Sequence, residues 1–424
     1  MHPTARRLLQ ASTRSASTAG RLLFDSDYHI HLGGAIPPSL IASWVRDEKL
    51  SLDDEISDLV AATSTGGDVS PSHRPPLITV RRAFEDYRGF AICKQSQQKM
   101  NEVDVYASAY NTRQYDSLPE FLTLYRAFSK RHLLYSHAHE ICRGPFVHPF
   151  ADVRVSIPHP KSSENNDLIN NSEESPSQYA QRAMEEMMYF QSCLLPTQKL
   201  FITFPRQTFN VKRNLEYFNS SIALLSDEVA AASSSAQGES KYMLQHPLAF
   251  DFAGQPLPTT QTLPLLDKLR NAFPSSFICY HHGEVCPGIK FSDRVKHTFD
   301  LIPYVDRIGH GLCLGLAVLG INPDFDDIND DVNRVMNKEA TLQENKALAY
   351  QCLQQLAEQK IGIEISPTCN ITLGGAMSEQ ILTEYVREFL KMGVDVFVGT
   401  DDPGFLNTTM EKEIAILQSA GLCS

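Results

Sequence analysis

The sequence predicts an α/β chain that closes as a single (β/α)8, or TIM, barrel with helical insertions. Three observations lead there. Eight short apolar stretches recur along the 424 residues with mostly helical intervals between them, the alternation of a parallel sheet whose connections return outside it. Several of these stretches end in glycine, which lets the chain turn sharply out of a strand. Histidines and acids then fall at the C-terminal ends of the strands, the face on which such barrels place their chemistry.

The first strand is Asp27-Tyr28-His29-Ile30-His31, followed at once by Leu32-Gly33-Gly34. Residues two apart share a face of a strand, so His29 and His31 project toward one point, and two imidazoles so placed suit a divalent metal such as zinc. From Pro37 to Asp116 the expectation is helices broken by a polar loop, with Thr63 to Asp68 and Pro71, Pro75 and Pro76 in that loop. Phe121, Tyr125 and Phe128 then line one face of a helix and read as core. His132, His137, His139 and His148 have no tight ligand spacing on an evident strand and read as surface or structural.

Ala151 to Ile157 is the second strand, and its Arg154 needs a carboxylate partner that the sequence does not name. Pro158 to Gln178 reads as a solvated loop. Leu200 to Phe204 and Leu248 to Phe252 are the third and fourth strands, separated by a helix and by Ser226 to Lys241, an Ala/Ser segment expected to be disordered. Ala253-Gly254 ends the fourth, where a glycine could admit a ligand close to the backbone.

The fifth strand, Phe277-Ile278-Cys279-Tyr280, delivers His281-His282-Gly283-Glu284. Alternation sends His281 to the side of Cys279 and His282 to the other, while Gly283 turns the chain so that Glu284 meets a substrate beside the metal. Asp306 to Gly311 is the sixth strand, with glycines on either side of His310. The acidic run from Asp324 to Asp331 lacks the glycine and the ligand spacing of a calcium loop and reads as solvated. Gly362 to Ser366 and Asp395 to Gly399 complete the set, the last delivering Thr400-Asp401-Asp402-Pro403.

Composition limits the function classes. With 42% hydrophobic and 21% charged residues the chain is of the soluble globular kind. No apolar run is long enough to span a bilayer. A net charge of −12 argues against nucleic acid or an anionic membrane as partner. Nine cysteines without a CxxC pair read as reduced thiols, which points to the cytoplasm. Residues 1–23, rich in Arg, Ser and Thr and free of acids, read as a disordered extension or a mitochondrial targeting segment, leaving 24–424 as one barrel. Oligomeric state is not legible.

His29-Ile30-His31-Leu32, His281-His282-Gly283-Glu284, Arg307-Ile308-Gly309-His310-Gly311, Ser366-Pro367-Thr368-Cys369-Asn370 and Thr400-Asp401-Asp402-Pro403 together resemble the ordered signature blocks of the adenosine/AMP deaminase branch of the metal-dependent amidohydrolases. The resemblance spans about residues 27 to 404. It implies one zinc ion per chain held by His29, His31, His281 and Asp401, and hydrolytic deamination of an aminopurine nucleoside or related small molecule with release of ammonia. By similarity Glu284 is the acid that protonates the purine ring, and His310 and Asp401 hold or deprotonate the attacking water. Asp402, with backbone contacts from Gly34 and Gly254, binds the substrate.

Two positions depart from the family. Gly33 stands where relatives carry an acid, and the expectation is that it makes room for a larger substituent on the sugar side of the substrate. After Asp402 only a short helix, Thr408 to Leu417, is expected, so the last strand should be poorly covered and the barrel short at its C-terminus. The alternatives are another amidohydrolase reaction on the same barrel, such as adenine or N6-substituted AMP deamination, and a non-catalytic nucleoside-binding protein. A cytidine-deaminase-like site is disfavoured because the PCxxC ligands are absent.

Overall fold

A computed structural model describes residues 19–47, 49–57, 77–85, 118–158, 174–206, 215–234, 247–254, 259–284, 289–323, 332–373 and 378–423. We number the barrel strands β1 (Asp27–His31), β2 (Ala151–Ser156), β3 (Lys199–Pro205), β4 (Ala249–Ala253), β5 (Phe277–His282), β6 (Arg307–His310), β7 (Gly362–Ile365) and β8 (Val396–Val398). Each pairs in parallel with the next in this order. The ring closes between β1 and the end of β8 through a parallel bridge of Ile30 with Asp401. There His31 N donates to Asp401 O over 2.8 Å and Asp401 N to His29 O over 2.6 Å. The strands joined by that closure are therefore the ones that carry His29, His31 and Asp401.

Strand alternation sorts the side chains. Val153, Val155, Phe250, Phe252, Ile278, Ile363, Val396 and Val398 are buried among the apolar residues of one continuous core. Facing the barrel axis are Asp27, Asp152, Arg154, Thr203, Asp251, Arg307 and Glu364, all buried and tied to one another or to the histidines above them. A barrel interior filled with ions contributes little net stability, because desolvation offsets the attraction. Its effect is to fix side-chain positions.

Several expectations are corrected. Between Pro37 and Asp116 the described residues hold helices at Pro38–Arg46 and Val80–Glu85 and also an antiparallel pair, Glu55–Ser57 with Leu77–Thr79. The intervening 58–76, with the proline-rich loop, lie outside the described residues, as do 86–117 and the acidic run at 324–331. The Ala/Ser segment is helical at least to Ser234, as part of Leu215–Ser234, consistent with alanine's high helix propensity; 235–241 lie outside the described residues. The loop expected through Gln178 ends earlier, since a capping box of Ser175 with Gln178 starts a helix at Pro176.

The N-terminal extension gives way to ordered chain before residue 24. Leu22–Leu23 pairs with β8, and Arg21 Nη2 meets Asp395 Oδ2 over 2.6 Å. The last strand is well covered, with Val396 and Val398 fully buried. It is followed by helices Pro403–Leu406 and Met410–Ser419, the second anchored by buried Glu413, which accepts from Thr368 N over 2.7 Å. Among the described residues no helix is long and apolar enough to cross a membrane.

Candidate active site

Five predicted side chains converge at the C-terminal mouth of the barrel. Donor atoms of His29, His281, His310 and Asp401 all lie within 4.8 Å of one another. His31 joins this group from the side, its Nε2 lying 3.0 Å from His281 Nε2 and 3.5 Å from Asp401 Oδ1. His29 Nε2 is 3.4 Å from Asp401 Oδ1, and His310 Nε2 is 4.0 Å from Asp401 Oδ2. His310 and Asp401 both carry φ of 64°, a left-handed conformation costly for a side chain with Cβ. Such strain is often found at functional sites, and here it points both groups into the mouth.

The far nitrogens of two histidines are held by carboxylates that sequence reading missed. His29 Nδ1 lies 2.8 Å from Glu364 Oε2 on β7, and His281 Nδ1 lies 3.0 Å from Asp251 Oδ1 on β4. An acceptor at Nδ1 fixes the proton there and leaves Nε2 with its lone pair inward, as a metal ligand requires. Burial and Arg154 push the His29 pKa down, but Asp401 and Glu364 outweigh them and hold it up at about 9. Burial and the neighbouring His281 hold His31 well below the usual range, and burial lowers His281 despite Asp251. Asp401 stays well below the usual carboxylate range because the surrounding imidazoles, His29 foremost, outweigh its burial.

These residues fit a metal ion. His29 Nε2 and His310 Nε2 are buried without a hydrogen-bond partner, a costly condition that a cation among the donors would relieve. A set of imidazole nitrogens with one carboxylate suits a transition-metal ion such as zinc rather than calcium or magnesium.

Around this centre the substrate-side residues take their places. Gly283, with φ of 87°, turns the chain after β5, and a Cβ there would meet Cys313 Sγ at 2.6 Å. Glu284 then stands at the mouth with Oε1 3.7 Å from His310 Nε2 and Oε2 3.9 Å from Arg206 Nη2. Arg206 also donates to the His281 carbonyl over 2.6 Å and to the Gly254 carbonyl, so one unpredicted arginine links β3, β4 and β5 at the mouth. Asn370 Nδ2 donates to Tyr385 Oη over 2.9 Å, and its Oδ1 lies 3.4 Å from His310 Nδ1, so the Ser366–Asn370 block borders His310. Gly34 is a glycine because Asp402 packs against it: a Cβ would fall 1.8 Å from Asp402 Oδ1. Burial and the charges of Asp401 and Glu284 push the Asp402 pKa well above the usual carboxylate range.

Gly33 does not open free space. A Cβ there would lie 2.4 Å from the Tyr125 hydroxyl and 3.1 Å from Ser129 Cβ. The aromatic helix Leu118–Phe128 supplies that tyrosine, whose ring stacks on Phe405 at 5.5 Å just beyond Asp402, while Phe121 and Phe128 are core as expected. Gly33→Asp is therefore expected to lower stability by about 1–3 kcal/mol through overpacking. Adding Tyr125→Phe should restore part of the loss. Thermal unfolding of the single and double variants checks this; a Gly33→Asp protein as stable as the parent would contradict it.

Fold and site together define a parallel barrel with imidazoles and a carboxylate converging at its mouth, the face on which such barrels place their chemistry. Residues 248–422 match the family model described as adenosine deaminase. This segment carries His281, Glu284, His310, Asp401 and Asp402. No curated protein sequence matches the chain. Among solved structures, the apo N6-methyl-AMP deaminase from Arabidopsis thaliana shares 16% identity over 96% of this chain and 87% of its own, with a TM-score of 0.48. An ADAL–IMP complex shares 17% over 96% and 87%, with a TM-score of 0.49. The adenine deaminase from Arthrobacter aurescens shares 14% over 96% and 88%, with a TM-score of 0.46.

Proposed function

We propose that the chain is a zinc-dependent deaminase of an aminopurine nucleoside, nucleotide or base, converting C–NH2 and water to C=O and ammonia, or C–NHR and water to C=O and the amine RNH2. The observation that carries this is the convergence of His29, His31, His281, His310 and Asp401 with Glu284 beside them. His29, His31, His281 and Asp401 would hold the zinc, which when bound supplies water acidified to near-neutral pKa.

The remaining roles belong to the chain's own groups. Glu284 at the mouth donates a proton to the purine ring nitrogen next to the carbon under attack. That makes the carbon electrophilic. His310, its Nε2 facing both Glu284 and Asp401, orients the attacking water and accepts its proton. Asp402, buried against Gly34, hydrogen-bonds the five-membered ring of the purine. With Tyr125 beside Gly33 in place of an acidic side chain, the site has a reason to prefer a substrate other than free adenosine, with adenine and N6-substituted AMP the first candidates.

The test is release of the C6 amine by zinc-loaded protein, read as ammonia from adenosine, adenine and AMP and as methylamine from N6-methyl-AMP. Release from at least one is expected. A folded, zinc-bound protein that releases none from any of them would overturn the deaminase reading in favour of another amidohydrolase substrate or a binding role.

A further inference from the structure

Arg154 lies on β2, a strand that carries none of the metal-binding histidines, yet it is the common partner of the two carboxylates behind them. Its Nη2 donates over 2.6 Å to Glu364 Oε2, the oxygen that also meets His29 Nδ1 at 2.8 Å. Its Nε lies 3.6 Å from Asp251 Oδ2, while the other oxygen of Asp251 meets His281 Nδ1 at 3.0 Å. Nη1 donates to the Tyr28 carbonyl on β1 over 3.0 Å, and the guanidinium lies over the Phe201 ring at 5.1 Å. Arg154 is 1% exposed and both carboxylates 0%.

We propose that Arg154 is a positioning residue for the metal site, holding His29 and His281 in register through Glu364 and Asp251; the inference rests on the zinc reading above. The argument is geometric. An ion network this deeply buried adds little net stability, so its retention needs another account. One rigid, planar cation reaches both carboxylates and the backbone of β1, so the two imidazoles are referred to a single fixed point. Groups that orient ligating histidines in this way typically govern metal affinity by about 10–100-fold. Arg307 supplies the contrast. It too reaches the Tyr28 carbonyl, at 3.5 Å, and meets Glu364 Oε1 at 2.9 Å, but its second carboxylate is Asp152, met at Oδ2 over 2.8 Å, rather than Asp251, so it bears on one histidine only.

The experiment uses the full chain stripped of metal, with zinc titrated against a chromophoric chelator and thermal unfolding of the apo protein followed in parallel. Arg154→Lys keeps the charge but loses the fork, and is expected to bind zinc about 10–100-fold more weakly with an apo midpoint close to the parent. Arg307→Lys should lose less. Where lysine is not accommodated, Arg154→Gln, which retains one donor for Glu364, is expected to show the same loss. Zinc affinity unchanged in the folded Arg154 variant, or lost equally in Arg307→Lys, would overturn the inference and leave the zinc reading standing. A parent protein that takes up no zinc would overturn both.

Discussion

Glu284→Gln is expected to lower the rate of ammonia release by about 10²–10⁴-fold, the usual worth of a positioned general acid, while zinc content stays at the parent level. Glutamine matches the shape of glutamate and can keep the contacts toward His310 and Arg206, so the mouth of the barrel is preserved. What it lacks is a proton to give to the purine ring. Glu284 is not among the side chains whose donor atoms cluster for a metal, so replacing it leaves the ligand set intact. Single-turnover ammonia release with parallel zinc analysis separates the two effects. A rate within tenfold of the parent would show that the ring nitrogen is protonated by something else.

The parts of this site that were legible in the sequence are those at strand ends. His29, His31, His281, His310 and Asp401 each stand at or just past the end of an expected strand, and a parallel barrel gathers the C-terminal ends of its strands at one mouth whatever lies between them. Period-two alternation was enough to send His281 to the side of Cys279 and His282 to the opposite face. Eight strands were also legible, with boundaries displaced by a residue or so, because a buried parallel strand needs a continuous apolar run.

What was not legible depends on closure of the ring. Asp251 and Glu364 stood in the sequence as single acids in the apolar strands Ala249–Ala253 and Gly362–Ile365. That signal marks them as inward-facing and paired, but which histidine each meets follows only from the strand register. Arg154 was visible as an odd charge, yet its partner Glu364 lies 210 residues away. Gly33 misled for a related reason. A missing side chain read as space, but the space is filled by Tyr125 from an insertion helix whose docking on Phe405 no local pattern specifies. The Ala/Ser segment misled differently, since low complexity and high helix propensity coincide there and the helix prevails through Ser234.

Adjacent histidines on β5 give the second large effect. His281→Ala is expected to abolish tight zinc binding and with it detectable ammonia release, because it removes a donor from the centre of the cluster and leaves Asp251 Oδ1 without its imidazole. The stabilisation that zinc confers on the folded chain should vanish as well, about 2.7 kcal/mol when free zinc stands at a hundred times its dissociation constant. His282→Ala should behave in the opposite way. That ring faces the outer helix Phe291–Leu301, where its Nε2 donates to the Arg294 carbonyl over 2.8 Å, and burial drives its pKa down to about 3 so that it stays neutral. Its loss removes a buried hydrogen bond and a packed ring and costs about 1–3 kcal/mol of stability. Zinc stoichiometry should remain at one. Thermal unfolding with and without zinc, run on both variants, reads the two quantities independently. Because the residues are neighbours in sequence, composition and local propensity are nearly the same for each, and only the face of the strand differs. A His282→Ala protein that loses zinc, or a His281→Ala protein that keeps it, would place the metal on the wrong side of β5.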